Sequence, residues 1–229
     1  MSTLTLVRHG QARPFEKDSD RLSELGHSQA RSLGEYWRRH GIVFDEVMSG
    51  SLTRHRQTLA QAGLTASRED PGWNEYDAGA ILEKLAPTLA VEDPEFAIRQ
   101  REFDEMSASP DKNRYFQKML ERLMHAWMTG RVSADGVEPF VAYRARVIAA
   151  LKRIVDAETS NRNVVVFTSG GPIGLCVQHV LRAPDSTFLD VNWRIRNCSI
   201  SEFTFSRGRL SLDTLNTMGH LDRALWTWR

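Results

Sequence analysis

Leu4-Thr5-Leu6-Val7-Arg8-His9-Gly10 is an aliphatic run that stops abruptly on a basic pair and a glycine. The run reads as a buried β-strand. A strand that carries Arg8 and His9 to its carboxyl end suits the crevice of an open α/β sheet, where the backbone turns outward and side chains converge on a ligand. Taken alone, the same letters would also fit a strand that happens to end in Arg-His. The neighbouring stretches have to decide.

Residues 11–20 are polar and charged, interrupted by Pro14, and read as a loop over the crevice. A helix is expected over about 22–40. Ser23 or a neighbour can cap it, and Leu22, Leu25, Ala30, Leu33 and Trp37 fall at helical spacing. Gly41 is a plausible stop, and residues 42–48 read as a second strand. Helix, glycine and strand make a crossover unit, which implies a parallel sheet.

The second strand also runs into a polar turn, Ser49-Gly50-Ser51, and a helix opens with Leu52-Thr53-Arg54-His55-Arg56-Gln57-Thr58. Helix N-termini attract anions through free N–H groups and the dipole. An arginine in the first turn opposes that dipole, so Arg54 calls for a reason. His55 reads as a neighbour of a site or a surface residue rather than a catalyst. Further on stands Trp73-Asn74-Glu75-Tyr76-Asp77-Ala78-Gly79, which in isolation fits a carboxylate in an acidic loop.

Residues 81–137 are rich in helix formers and charge, punctuated by Pro87, Pro94 and Pro110. Two helices are expected, near 94–106 and 112–128. The second carries an apolar stripe of Phe116, Met119, Leu120, Leu123 and Trp127, read as core packing. A long helix follows over about 136–159, with Phe140, Val147, Ile148, Leu151, Ile154 and Val155 on its buried face and Pro139 in its first turn. Asn163-Val164-Val165-Val166-Phe167-Thr168 is the clearest strand, apolar on both faces and therefore central and parallel. It runs into Ser169-Gly170-Gly171-Pro172 and a helix through about Leu181. Residues 197–205 alternate as a strand, Arg207-Gly208 marks a turn, and 210–215 return as its partner. Trp226 and Trp228 in the tail could cover the core or form a subunit contact.

Composition excludes several classes of function. The 229 residues are 41% hydrophobic and 26% charged, ordinary for a globular protein. A net charge of +1, with no stripe of aromatic and basic residues, argues against nucleic acid and against a charged membrane surface. Cys176 and Cys198 make neither a disulfide framework nor a zinc pattern. A reducing cytoplasm is the expected location. No signal peptide, membrane span, repeat or metal-ligand cluster is legible.

In this order, the stretches resemble the signatures of the histidine phosphatase superfamily, the phosphoglycerate-mutase-like group. Arg8-His9-Gly10 matches the motif whose histidine carries the phosphoryl group. The family's Ser-Ser-Pro-Leu-x-Arg-Ala-x-Gln-Thr is similar to Ser49–Thr58, which puts Arg54 on the arginine that holds the phosphate. Gly50 and Ser51 replace the usual Ser and Pro, and His55 replaces a small residue. Glu75 and Gly79 match the spacing of the family's proton-donating glutamate and its glycine. Gly136-Val137-Glu138-Pro139 looks like a worn form of the family's Gly-Glu-Ser. Thr168-Ser169-Gly170-Gly171 resembles the second signature, usually Ser-His-Gly-Gly, with Ser169 where the second histidine belongs. A serine hydroxyl donates one hydrogen bond but no positive charge.

The resemblance implies a three-layer αβα fold with a central, mostly parallel sheet and a helical insertion at about 81–137 in a single domain spanning 1–229. It also implies a metal- and cofactor-independent phosphatase. His9 would attack phosphorus, Arg8, Arg54, Ser169 and Gly170 would hold the phosphoryl oxygens, and Glu75 would protonate the leaving group. Turnover would be slowed by the missing histidine. The partner implied is a small phosphorylated substrate, with oligomeric state open. A mutase, or a phospholigand-binding protein with little turnover, are the other readings.

Overall fold

The computed structural model describes residues 1–13, 19–157, 161–206 and 209–228. Pro14, the expected helix end at Thr159 and the expected turn at Arg207-Gly208 lie outside them. The chain divides into two compact units, one made of 1–75 with 146–229, the other of 76–145.

The first unit is built on a six-stranded mixed sheet in the order β3-β2-β4-β1-β5-β6. Strands β1 (Ser2–Arg8), β2 (Glu46–Ser49), β3 (Arg68–Glu69) and β4 (Asn163–Thr168) are parallel. Strands β5 (Ile200–Ser206) and β6 (Arg209–Thr217) close one edge antiparallel. The architecture is three-layer αβα, as the sequence implied. The two most apolar runs, β1 and β4, lie side by side at the centre because only there can both faces be buried. On one face Val7, Val165 and Phe167 pack with Leu33 and Trp37 of helix α1 (Glu24–Arg39) and Leu59 of α2 (Thr53–Gln61). On the other, Leu4, Leu6, Val164 and Val166 are fully buried.

Ser23 is the N-cap of α1, accepting from the Gly26 N–H. The second strand is shorter than the expected 42–48. Asn163 Nδ2 takes the Val43 carbonyl, and the Asp45 carboxylate takes the Asn163 N–H at 2.7 Å. Side chains thus occupy groups a ladder would have used, and Ile42 and Val43 are left exposed. Helix α6 (Phe140–Val155) starts later than the expected 136, after Pro139, whose carbonyl accepts from Ala142 and Tyr143. Helix α7 (Gly170–Leu181) follows β4 as expected. A short helix α8 (Ser186–Asn192), which the sequence reading did not anticipate, packs against it. In the tail, Trp226 packs on the cluster of Ala30, Cys198, Met218 and Leu221. Arg196 stacks 4.7 Å from the Trp226 ring and 5.0 Å from that of Trp228.

The second unit is helical. Helices α4 (Pro94–Glu105) and α5 (Lys112–Met128) stand where expected. A third, α3 (Ala78–Glu92), was not expected, because Pro87 reads as punctuation. Pro87 is exposed, opposite the buried Ile81, Leu85 and Leu89, so solvent can serve the carbonyl that the ring deprives of its partner. Of the α5 stripe, Met119, Leu120, Leu123 and Trp127 are buried, and Trp127 packs against Tyr76, Phe140 and Tyr143. Asp93 ties the unit together. It caps α4 by accepting from the Glu95 and Phe96 N–H groups and binds Arg122 and Arg131, which hold its carboxyl down to about 2. Among the described residues no helix is long and apolar enough to cross a membrane.

Candidate active site

The parallel register decides which side chains meet. Arg8 pairs with Thr168, so the next residue on each strand, His9 and Ser169, leaves the sheet beside the other. The His9 N–H donates to the Thr168 carbonyl at 2.8 Å, which locks the two strand ends together.

His9 is buried, and its Nδ1 lies 2.7 Å from the Gly10 carbonyl. A carbonyl only accepts, so Nδ1 carries the proton and the neutral ring keeps its lone pair on Nε2. Burial pushes the imidazole well below its ordinary value. The Arg54 and Arg8 guanidiniums and His55 push the same way, and the Gly10 bond opposes them. The ring is therefore neutral with a fixed tautomer. The His9 carbonyl accepts from Asn197 Nδ2 at 3.2 Å, and Asn197 is itself held by Thr227 of the tail.

Gly10 is required by a close approach. A Cβ there would sit 3.0 Å from the Gly26 carbonyl carbon, at the start of α1. Its N–H donates to Thr58 Oγ1 at 3.0 Å, and the Thr58 hydroxyl donates to the Arg54 carbonyl at 2.6 Å. Gln57 Oε1 accepts from the Leu22 N–H. The Arg-x-x-Gln-Thr pattern thus places Arg54 and ties α2 to the loop after β1.

Arg54 lies in the first turn of α2, and its Nη1 pairs with Asp20 Oδ1 at 2.8 Å. The other oxygen of Asp20 accepts from the Thr53 N–H at 2.8 Å. Asp20 supplies the negative charge that a helix N-terminus favours and so offsets the arginine. Arg8 donates through Nη1 to the Ile195 carbonyl.

Ser169 is fully buried and stands at the N-cap of α7, yet its side chain does not cap the helix. An N-cap serine normally accepts from the N–H of the second or third helical residue. Here the third is Pro172, which has no N–H, and the second, Gly171, donates to Glu75 Oε2 at 3.0 Å. The Ser169 hydroxyl is instead 2.7 Å from His55 Nε2. His55 is fully buried, contrary to a surface reading, and its ring centroid lies 5.7 Å from that of His9. Burial, then Arg54, pushes its imidazole well below the ordinary value.

Glu75 follows a 3₁₀ turn, Pro71–Trp73. The turn is fixed from two sides. Thr168 Oγ1 donates to the Trp73 carbonyl at 2.6 Å. From α6, Arg146 donates to the carbonyls of Gly72, Asn74 and Glu75, and Arg153 pairs with Asp70 at 2.6 Å. Glu75 is thereby joined to the start of α7, and the Gly171 N–H is committed to the carboxylate.

His9, Arg54, Glu75, Ser169 and Gly170 therefore gather around the carboxyl ends of β1 and β4, with Arg8 directly before His9. Cys198 is buried and small, with burial pushing its thiol up, which suits packing and not attack. Asp20 and Arg146 were missed. They come from segments whose local sequence gives no reason to single them out. Among the described residues, no three His, Cys, Asp or Glu side chains converge as metal ligands would.

Known proteins are similar to this chain in sequence and in fold. The sequence is 24% identical over 217 residues to a 2,3-bisphosphoglycerate-dependent phosphoglycerate mutase of Lactobacillus acidophilus, covering 85% of this chain and 90% of that one. In fold it is similar to a mutant phosphoserine phosphatase of Entamoeba histolytica solved with phosphoserine (TM-score 0.60, 19% identity, 96% of this chain and 100% of that one). It is equally similar to a mycobacterial glucosyl-3-phosphoglycerate phosphatase solved with VO3 (TM-score 0.60, 20% identity, 95% and 100%). The histidine phosphatase superfamily (branch 1) matches over residues 4–134 and 99–218, nearly the whole chain, and the protein belongs to that superfamily.

Proposed function

We propose that this protein is a phosphatase that cleaves small phosphomonoesters through a phosphohistidine at His9, without a metal ion. The observation that carries the reading is the state of the His9 ring: buried, neutral, with Nδ1 committed to Gly10 and Nε2 bearing the lone pair. In this reading Nε2 attacks phosphorus, and the P–N bond forms as the ester P–O bond breaks. Glu75, fixed by Gly171 and Arg146, gives a proton to the departing alkoxide. It then takes one from the water that cleaves the P–N bond, which releases phosphate and restores His9. Arg8 and Arg54 neutralise charge on the phosphoryl oxygens. Arg54 reaches the phosphate by exchanging Asp20 for it.

The relatives and neighbours above bear the names of both phosphatases and mutases. A mutase must hold the phosphoenzyme away from water; Ser169 in place of the second histidine and the helical insertion at 81–137 favour the phosphatase. The test is phosphate release from p-nitrophenyl phosphate, a sugar phosphate and 3-phosphoglycerate, all in the presence of a chelator. The reading expects release from at least one of them. Conversion of 3-phosphoglycerate to its isomer without release would establish a mutase instead, and inertness toward every ester would contradict both enzymes.

A further inference from the structure

Three of the places where this chain departs from its family's pattern form one cluster. Ser169 stands where a histidine is usual, His55 where a small residue is usual, and Gly50 where a serine is usual. His55 Nε2 lies 2.7 Å from Ser169 Oγ. A Cβ at Gly50 would collide with His55 Nδ1 and stand 2.9 Å from its Cε1. The imidazole missing from the β4 end is thus supplied from the first turn of α2, and the glycine makes room for it.

We propose that His55 and Ser169 act as a pair in place of the second histidine: His55 is a positioning residue whose Nε2–H donates to Ser169 Oγ, and Ser169 donates its hydroxyl proton to the phosphoryl group on His9. This rests on the phosphatase reading above and extends it to two residues. Three observations carry it. First, the hydroxyl is released from helix capping by Pro172 and by the Gly171–Glu75 bond, and its one hydrogen bond among the described residues is to His55. Second, His55 Nδ1 is buried with no hydrogen-bond partner among the described residues. A proton placed there would be a buried donor with nothing to bind, whereas on Nε2 it is satisfied by Ser169 Oγ. That tautomer leaves the serine O–H free to point elsewhere. Third, the strand register sets Ser169 beside His9, where a phosphoryl group would form. Burial beside Arg54 keeps His55 neutral, so the pair supplies a fixed neutral donor and leaves the positive charge to the arginines.

Orthovanadate, which mimics the five-coordinate phosphoryl group, reads this without knowledge of the natural substrate. Its affinity, and that of inorganic phosphate, is measured calorimetrically for wild type, Ser169→Ala, His55→Leu, His55→Gln and the Ser169→Ala/His55→Leu double variant. One preorganised donor to developing charge is worth about 10²–10³-fold. Ser169→Ala and His55→Leu should each weaken vanadate by up to that factor and phosphate by much less. The double variant should bind vanadate no more weakly than Ser169→Ala, because His55 acts through the serine. His55→Gln, whose amide Nε2 can also donate to Ser169, should recover much of the loss and remains informative if His55→Leu does not fold. Wild-type vanadate affinity in His55→Leu, additive losses in the double variant, or equal losses for vanadate and phosphate would overturn the pairing and leave the phosphatase reading intact. A wild-type protein that binds no vanadate would overturn both.

Discussion

Two buried histidines lie 5.7 Å apart in this site, and their difference lies in which nitrogen is tied. His9 gives Nδ1 to a carbonyl, which leaves a lone pair on Nε2. His55 commits Nε2 to a hydroxyl and buries Nδ1 against Gly50. Burial keeps both rings neutral, so charge does not distinguish them. Hydrogen bonding does: one ring keeps a free lone pair, which the proposed attack requires, and the other holds a neighbouring hydroxyl. The same side chain meets opposite hydrogen-bond environments because a strand end supplies one and the first turn of a helix the other.

The comparison predicts a ranked set of losses. His9→Ala removes the nucleophile and should cut phosphate release about 10³-fold or more while circular dichroism stays unchanged. Retained turnover in a folded variant would transfer the attacking role elsewhere. Glu75→Gln comes next. With an alkyl ester its rate should fall about 10²–10⁴-fold, and with p-nitrophenyl phosphate much less, because nitrophenolate leaves unprotonated. Equal losses would remove Glu75 as proton donor. Gly50→Ala forces a Cβ into the His55 ring and should slow turnover on the order of tenfold by disturbing the pair with Ser169. In a His55→Ala background the same change should cost little, and a comparable cost there would mean that Gly50 serves only the turn.

The smallest effect is on stability. A histidine whose value is lowered on folding binds its proton more readily when unfolded. Its contribution is therefore complete above the unfolded value near 6.5 and is lost as pH falls toward the folded value. His9 and His55 both behave this way, and His220, lowered to about 4 by burial, adds to them. Each contributes a slope of about 1.4 kcal/mol per pH unit within its window. Urea unfolding at pH 7, 6 and 5 should show His55→Gln losing less stability per pH unit than wild type by about that amount. Parallel curves would mean that His55 is protonated in the folded protein.

Much of the sheet could be read from the sequence because β1 and β4 are buried on both faces and their composition says so. Helices α4 and α5 were legible from proline punctuation and an apolar stripe. Helix α3 was not, since a proline on an exposed helix face looks the same in sequence as one that ends a helix. The second strand was placed too early because the side chains of Asp45 and Asn163 do work that sequence patterns assign to backbone. In the site, His9, Arg54 and Glu75 stand on local motifs. Ser169 could be read as a loss, but its compensation could not, because His55 is 114 positions away. A signal was present: a ring absent from one motif and a ring gained in another, beside a new glycine. Arg146 and Asp20 reach the site through tertiary contact alone.

The measurement that tests the account most directly is the identity of the phosphorylated residue. Wild-type protein is mixed with a phosphomonoester, quenched within milliseconds at alkaline pH, digested and mapped by mass spectrometry. The account predicts a phosphoenzyme that survives alkali, is lost in acid and maps to His9, and none in His9→Ala. Phosphate in an acid-stable ester on Ser169, with His55 serving as its base, would contradict it.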